Sequence, residues 1–288
     1  MRDLNTEQAF LYIDPQNSSM YYPTQSSKGP WAPNSMHGRV IAGLIAHEVE
    51  TKHCNQQELE DMQVARMTFD LFKQAPMAPL STSSEIIRVG RRIKVIDVCV
   101  NSITPQDQLT EVARGRVLML RKSHTPDNVI WSPPEWDIDV SPPDIHSHGI
   151  SSLGPSPKIG SPLWETVEIK QPRSVKSSES IPDGPRRAWI RENRNLIDNY
   201  PLTQLVRVGL AADIANPYAN SGSSGLDFIN ADISLFLERM PIGEWIGVEG
   251  FYHGSCDGVS IGTVALYDQS GRIGQSTVSG LYQSRNTL

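Results

Sequence analysis

The sequence predicts an α+β fold made of two similar halves, each with one apolar helix packed against a run of antiparallel strands. Each half contains a helical stretch rich in small residues, and strand-like stretches joined by tight turns follow it. In both halves a hairpin turn falls about 55 residues after the start of the helix. This matched spacing indicates a duplication.

In the first half, the apolar residues between 36 and 53 fall on one face at helical spacing, and Asn34 or Ser35 can cap the start of the helix. Gly38 and Gly43 suit a helix pressed closely against a sheet. The chain is expected to reverse at Gly90, between two strands. Strands are predicted over 9–13, 20–22, 64–72, 85–89, 93–100 and 113–120.

In the second half, Pro201 is expected to start a helix, because proline is favourable in a first turn, and Pro217 is expected to end it. The stretches Asp257-Gly258 and Ser270-Gly271 are predicted to join strands as tight turns. Strands are predicted over 188–191, 231–237, 245–252, 259–267 and 274–282.

A stretch crowded with proline, serine and glycine separates the halves, which is typical of a surface connection. We therefore predict an N-terminal unit over 1–122, a linker over 123–162 and a C-terminal unit over 163–288.

Composition excludes several classes of protein. Apolar residues make up 38% of the 288, which is enough for a sizeable core, and the net charge of −6 argues against nucleic acid as a partner. An odd number of cysteines without a C-x-x-C pair argues against a disulfide framework or a thiolate zinc site. His146 and His148 lie in a Pro/Ser-rich stretch without matched carboxylates, so no metal is expected.

The polar N-terminus does not read as a secretory signal, and no apolar run approaches the roughly 20 residues that span a bilayer. These features predict a cytoplasmic protein without a membrane partner.

Four stretches together resemble the acyl-CoA thioesterase II family of the thioesterase-like superfamily, and they cover most of the chain outside the linker. They are 31–38 (WAPNSMHG), 210–216 (LAADIAN), 228–245 (which contains FINADISL and RMPIGEW) and 266–274 (LYDQSGRIG). The resemblance implies a double hotdog, in which each half wraps a curved antiparallel sheet around its helix. It further implies an enzyme that hydrolyses acyl-CoA or acyl-carrier-protein thioesters without a cofactor. Since edge strands of hotdogs commonly pair, a homo-oligomer is plausible.

In that family an Asp on the second helix, a Thr or Asn on the next strand and a Gln near the end of the last strand hold the hydrolytic water. Asp213 and Asn230 match the first two positions. The Gln position falls at Val278 or Ser279, so this chain departs from the family there. Gln275 could substitute only if it lies four residues before the family position, because strand residues an even number apart share a face.

The resemblance also assigns chemistry to residues near the two helices. Asp213 would be the general base and Asn230 would orient the water. Backbone amides at the start of the first helix, around Gly38, would stabilise the oxyanion, and His37 could donate to the carbonyl or act as an acid or base. Asp232, two residues after Asn230, would share its strand face.

Residues flanking these positions are expected to contact the acyl substrate: Trp31, Met36 and Ser279.

Two alternatives stay open because the family Gln is not retained. The same scaffold could catalyse dehydration, hydration or isomerisation of a thioester-bound acyl chain, with His37 and Asp213 as the acid/base pair. It could also bind acyl thioesters without hydrolysing them, as an accessory protein in a biosynthetic pathway.

Overall fold

The computed structural model describes residues 9–14, 16–103, 108–136, 164–168, 184–223 and 225–283. The helices are α1 (Gly38–His53), α2 (Gln56–Asp61), α3 (Gln204–Ala212) and α4 (Ala215–Asn220). The strands of the first half are β1 (Ala9–Asp14), β2 (Asn17–Pro23), β3 (Met62–Leu71), β4 (Leu80–Val89), β5 (Ile93–Ile103) and β6 (Leu109–Arg121). Those of the second half are β7 (Glu165–Glu168), β8 (Arg187–Arg191), β9 (Asn195–Ile197), β10 (Ser221–Gly222), β11 (Gly225–Leu226), β12 (Phe228–Asn230), β13 (Asp232–Leu237), β14 (Trp245–Cys256), β15 (Val259–Asp268) and β16 (Gly271–Tyr282).

One large sheet carries both halves, in the order β7-β8-β14-β15-β16-β13-β3-β6-β5-β4-β2-β1-β9. The strands of the two halves correspond one to one, counted outward from the central β13–β3 pair. The second half runs β13, β16, β15, β14, β8, β7, the first half runs β3, β6, β5, β4, β2, β1, and β9 is an addition beside β1. All strand pairs within this path are antiparallel except β1 with β9. The expected α+β class with a predominantly antiparallel sheet is confirmed.

The two main helices, α1 and α3, pack directly against each other where both contain glycine. A Cβ added to Gly43 would lie 2.9 Å from a methyl of Leu210, and one added to Gly209 would lie 3.0 Å from the Cβ of Ala46. The contacting segments share a pattern, V-x-x-G-L-x-A, at 40–46 and 206–212. The two helices therefore contribute equivalent surfaces to their contact, as a duplicated helix would.

The apolar core fills the space between this helix pair and the inner face of the sheet. Burial alternates residue by residue along β5, which is the period-2 pattern of a strand with one buried face. Helix α1 lies so close to β6 that a Cβ on Gly115 would come within 2.6 Å of Ile45. Glycine at that point lets the helix sit directly on the strand.

The predicted boundaries of the second helix were wrong at both ends. Helix α3 begins at Gln204, because the hydroxyl of Thr203 caps it by accepting a hydrogen bond from Val206 N. It ends at Ala212, and Pro217 does not terminate it. Pro217 lies in the first turn of the separate helix α4, a position where a missing amide costs no helical hydrogen bond.

Helix α1 begins at Gly38, two residues later than predicted, and ends at His53 as predicted. The hairpins at Gly90, Asp257-Gly258 and Ser270-Gly271 join the expected strands. Among the helices that the structure describes, none is both long and apolar enough to cross a bilayer.

The helix contact makes a prediction about stability. Gly209→Val should lower the free energy of unfolding by about 1–3 kcal/mol, because the new side chain overlaps α1 in a packed interior. The control is Gly222→Val, since a Cβ there meets nothing within 4 Å. Chemical denaturation of both variants measures the difference, and equal stabilities would show that the helices do not approach as closely as described.

Candidate active site

The beginning of α1 meets the end of α3, and this places three of the predicted residues in contact. His37, the N-cap of α1, has its Nδ1 3.0 Å from Oδ2 of Asp213, the C-cap of α3. The amide nitrogen of Asn230, at the end of β12, donates to Oδ1 of the same carboxylate at 2.9 Å. Each carboxylate oxygen therefore accepts one hydrogen bond from a protein side chain and keeps capacity for another.

The pKa of Asp213 is set by opposing influences. Burial by itself raises this pKa, since only 6% of the side chain is exposed. The hydrogen bonds from His37 and Asn230 and the charge of Arg39 outweigh burial and bring the pKa below the ordinary value. Asp213 is therefore ionised at neutral pH although it is nearly inaccessible to solvent.

The His37–Asp213 contact also determines the tautomer of the imidazole. Nδ1 lies 3.0 Å from the carboxylate and 3.5 Å from the backbone nitrogen of Arg39, the limit of a hydrogen bond. A carboxylate is the stronger partner, so Nδ1 carries a proton and donates it to Asp213. Nε2 has no hydrogen-bond partner within the described part of the chain and is left to accept a hydrogen bond.

Because Nδ1 donates to Asp213, the 3.5 Å contact from the backbone nitrogen of Arg39 to Nδ1 is weak, and the first amides of α1 can still donate to a ligand. The backbone N–H groups of Gly38 and Arg39 have no better acceptor among the described residues. A Cβ on Gly38 would lie 3.2 Å from Oδ2 of Asp213, tighter than ordinary packing allows. Glycine thus permits the helix terminus, with its free donors and positive dipole end, to approach the carboxylate.

A buried ion pair fixes the first turn of α1 to the second half. Nη1 of Arg39 lies 2.7 Å from Oε2 of Glu192, and neither side chain is exposed. The guanidinium group packs between the rings of Phe10 and Trp164, at 4.7 and 4.2 Å from their centroids. These contacts hold the amides at Gly38 in a fixed position relative to Asp213.

A chain of amide side chains continues outward from Asn230. Its Oδ1 accepts from Nδ2 of Asn216 at 3.2 Å, and Oδ1 of Asn216 accepts from Asn220 at 3.0 Å. Oδ1 of Asn220 lies 2.8 Å from Nδ1 of His253, which must therefore be the donor. Every bond runs in the same direction, from His253 inward to the carboxylate of Asp213. Sequence reasoning missed this chain, although two asparagines four residues apart on a helix, Asn216 and Asn220, share one helix face.

The predicted roles of Gln275 and Ser279 required both side chains to lie on the inner face of the strand. This was wrong, because both lie on its outer face. Both are exposed on β16, whereas Ser276 and Val278 are fully buried beneath them. Ser276 donates to the carbonyl of Ala212 at 2.7 Å, so the inner face of β16 is the one that meets the end of α3. Of the two candidates for the family Gln position, only Val278 faces inward, and Gln275 cannot substitute for it.

The expectation that Asp232 shares a face with Asn230 was also wrong. The strand is interrupted at Ala231, between β12 and β13, which shifts the alternation by one residue. Asn230 points inward, whereas the carboxylate of Asp232 accepts a hydrogen bond from the backbone nitrogen of Ser279. Asp232 therefore stabilises the junction of the strands.

The loop before α1 holds the two remaining predicted substrate contacts. Met36 is buried, and its backbone nitrogen donates to Ala75 O at 2.7 Å. Trp31 is half-buried. Contact of Trp31 and Met36 with an acyl chain stays a prediction.

Within the described residues, the cysteines do not contact the candidate site. Cys54, Cys99 and Cys256 are free thiols. Within the residues that the structure describes, no group of three His, Cys, Asp or Glu side chains could hold a metal ion. His146 and His148 lie outside the described residues.

Family models match both halves of the chain. One described as the acyl-CoA thioesterase N-terminal domain matches residues 27–120, and one described as the acyl-CoA thioesterase C-terminal domain matches residues 144–282. The chain belongs to the acyl-CoA thioesterase family. The predicted family resemblance and the predicted enzyme class, a thioester hydrolase, are confirmed. No curated protein sequence matches the chain significantly.

Solved structures share the fold of this family member at low sequence identity. A candidate thioesterase of Novosphingobium aromaticivorans is 19% identical, with 96% of this chain and 99% of the other covered and a TM-score of 0.63. The TesB protein of Mycobacterium avium subsp. paratuberculosis is 11% identical, with 94% and 96% covered and a TM-score of 0.61. A hotdog-fold protein of unknown function from Alicyclobacillus acidocaldarius is 11% identical, with 99% and 98% covered and a TM-score of 0.60. The fold is therefore a hotdog fold.

The amide chain predicts that Asn216 supports the site. Asn216→Ala should lower the free energy of unfolding by about 1–3 kcal/mol, since it leaves the carbonyl of Phe228 and Oδ1 of Asn230 without their donor. Asn34→Ala is the control, because that side chain is exposed. Urea denaturation compares the two variants, and an unchanged stability for Asn216→Ala would contradict the described hydrogen bonds.

The lowered pKa of Asp213 predicts how stability depends on pH. A carboxylate with a lower pKa in the folded state stabilises the fold above the unfolded-state value of about 3.9, and this contribution is lost as pH falls through the folded-state pKa. The difference in unfolding free energy between the native protein and Asp213→Asn should be largest near neutral pH and shrink below about pH 4. Urea unfolding across a pH series tests this, and a difference that grows on acidification would show that the pKa is raised.

Proposed function

We propose that this protein hydrolyses acyl-CoA thioesters at the junction of α1 and α3. The observation that supports this best is the Asp213 carboxylate, which is buried, ionised and held by His37 and Asn230 beside the free amides of a helix terminus. Attack on a thioester needs a base for water and donors for the developing oxyanion, and this junction supplies both.

The reaction follows from these positions. The thioester carbonyl accepts hydrogen bonds from the amides of Gly38 and Arg39, and a water molecule donates one to Asp213 while Asn230 helps to orient it. The water oxygen forms a bond to the carbonyl carbon as its proton moves to Asp213. The tetrahedral intermediate then collapses, the C–S bond breaks, and the departing sulfur takes the proton from Asp213.

Val278 stands where the family has a Gln, and this difference affects how the hydrolytic water is held. A Gln at that position would offer the water a further hydrogen bond, whereas the valine side chain offers none. In this proposal Asp213 and Asn230 orient the water without a third side chain from β16. We expect the water to be less constrained than in relatives that retain the Gln.

A second candidate reaction is favoured by one contact, the hydrogen bond between His37 and Asp213. With Nδ1 fixed by the carboxylate and Nε2 free, His37 has the arrangement of an acid/base catalyst. It could move a proton on the acyl chain itself, as in dehydration, hydration or isomerisation. Such a reaction would change the acyl group without releasing the thiol.

We also propose that the two halves are two hotdog units joined in one chain, with the boundaries predicted above at 122 and 163. The repeated strand order on either side of the β13–β3 pair and the shared V-x-x-G-L-x-A segment of the helices support this proposal.

The proposal predicts the effect of removing the base. Asp213→Asn should slow thiol release from acyl-CoA substrates by about 10²–10⁴-fold, the contribution typical of a general base. Gln275→Ala should leave the rate unchanged, because that side chain points away from the site. Thiol release from a panel of acyl-CoAs of different chain length, with the acyl product identified by mass spectrometry, measures both.

Three results would argue for another function. A changed acyl group without thiol release would support the His37-centred reaction. Tight acyl-CoA binding without any product would support the accessory binding protein. Full activity of Asp213→Asn in hydrolysis would exclude Asp213 as the base.

A further inference from the structure

A cavity of about 70 Å³ lies at the opposite end of the helix pair from Asp213, between the last turns of α1 and the start of α3. This volume is enough for about two water molecules, so it can hold a reacting carbonyl group and one water while the rest of a substrate lies outside it. Its polar lining includes His47, Glu50, Tyr200 and Thr203, and its apolar lining includes Leu196 and Val206. Tyr200 and Thr203 are exposed, so the cavity can be reached from solvent.

The duplication makes this cavity the counterpart of the Asp213 site. The two V-x-x-G-L-x-A segments begin three residues after His37 and Thr203, the N-caps of α1 and α3. Counting from these caps, His47 occupies the position of Asp213, ten residues on, and Glu50 occupies the position of Asn216. The N-cap of each helix thus meets polar side chains from the end of the other helix.

The contacts at the two ends are similar in kind. At the first end His37 is bonded to Asp213, and at the second the hydroxyl of Thr203 donates to Oε2 of Glu50 at 2.6 Å. Burial raises the pKa of Glu50, and the Thr203 hydrogen bond offsets this only in part. A carboxylate with a raised pKa is closer to the range in which a general base works efficiently at neutral pH.

His47 supplies an unused hydrogen-bonding group in the cavity wall. Only 8% of the residue is exposed, and its ring lies edge-on to Tyr21 and Tyr200, with centroids 6.4 and 5.7 Å away. Burial lowers its pKa, so the imidazole is neutral at physiological pH. Its ring nitrogens have no hydrogen-bond partner within the described residues and are not among the buried polar atoms, so they are open to bind water or a ligand in the cavity.

The start of α3 also offers backbone donors. Thr203 accepts from Val206 N, while the amides of Gln204 and Leu205 have no acceptor among the residues described. They are the counterparts of the Gly38 and Arg39 amides at the first end. A carbonyl oxygen placed there would meet the positive end of a nine-residue helix.

We infer that this cavity is a second thioester-hydrolysing centre, in which Glu50 is the base and the first amides of α3 receive the carbonyl oxygen. The inference rests on the proposed function. A water molecule adds to the carbonyl carbon as Glu50 takes its proton, and the C–S bond then breaks as the sulfur recovers that proton. His47 holds the water through its free ring nitrogen, and the apolar lining contacts the acyl group next to the carbonyl.

The experiment removes each base separately and together. The full chain and the variants Asp213→Asn, Glu50→Gln and Asp213→Asn/Glu50→Gln are assayed for thiol release from a medium-chain and a long-chain acyl-CoA. Asp213→Asn should retain residual thiol release above the uncatalysed rate, and adding Glu50→Gln should lower this residual rate at least tenfold. Asp213→Asn/Glu85→Gln is the matched control, since Glu85 is an exposed side chain on β4, and it should keep the residual rate.

The outcomes separate this inference from the proposed function. Residual release that Glu50→Gln leaves unchanged, or no residual release in Asp213→Asn, would overturn the second centre and leave the first intact. If Asp213→Asn leaves the total rate unchanged, the proposed role of Asp213 is wrong, and a loss of activity in Glu50→Gln alone would then support the second centre. Leu202→Trp, which blocks the cavity without altering a polar group, replaces Glu50→Gln should that variant fail to fold, and it should remove the same residual release.

Discussion

The close contact between α1 and α3 is the constraint on which the rest of the structure depends. Gly43 and Gly209 remove the side chains that would keep the helices apart, and the remaining separation brings each helix terminus level with the end of the other helix. Since the helices run in opposite directions, the positive end of one meets polar side chains at the end of the other, at both ends of the pair. The candidate centre at Asp213 is thus a consequence of helix packing as much as of the catalytic residues themselves.

Charge in this interior is compensated locally. The carboxylate of Asp213 has two donors, and Nη1 of Arg39 pairs with Glu192, whereas Nε and Nη2 of Arg39 have no hydrogen-bond partner among the described residues and face aromatic rings. The cost of burying each charge is offset by a short contact to a neighbour from a different element. These contacts join α1, α3 and the segment after β8, which explains why the geometry at Gly38 is fixed although that residue lies at a helix terminus.

Much of the fold could be predicted from the sequence, because apolar periodicity and tight turns determine where its helices and long strands lie. The candidate pair Asp213 and Asn230 could be predicted through family resemblance, since both side chains are retained. What could not be predicted depended on which way a strand faces. The interruption at Ala231 shifted the alternation between Asn230 and Asp232, and the assignment of Gln275 depended on a one-residue choice of alignment that only the buried position of Val278 resolves. The amide chain beyond Asn230 was missed because α4 and β14, which supply its members, are brought beside β12 only by the fold.

That amide chain has a property that a single hydrogen bond lacks. The oxygen and nitrogen of an asparagine side chain are nearly equal in size, so one isolated amide can be rotated by half a turn with little steric change. In a series where each oxygen accepts from the next nitrogen, no member can reverse without breaking a bond on both sides. The carboxylate of Asp213 can only accept, so it fixes the orientation of Asn230 and, through Asn216 and Asn220, the polarity of the whole array. His253 on the outer strand must then carry its proton on Nδ1, so a buried charge determines the tautomer of a surface residue.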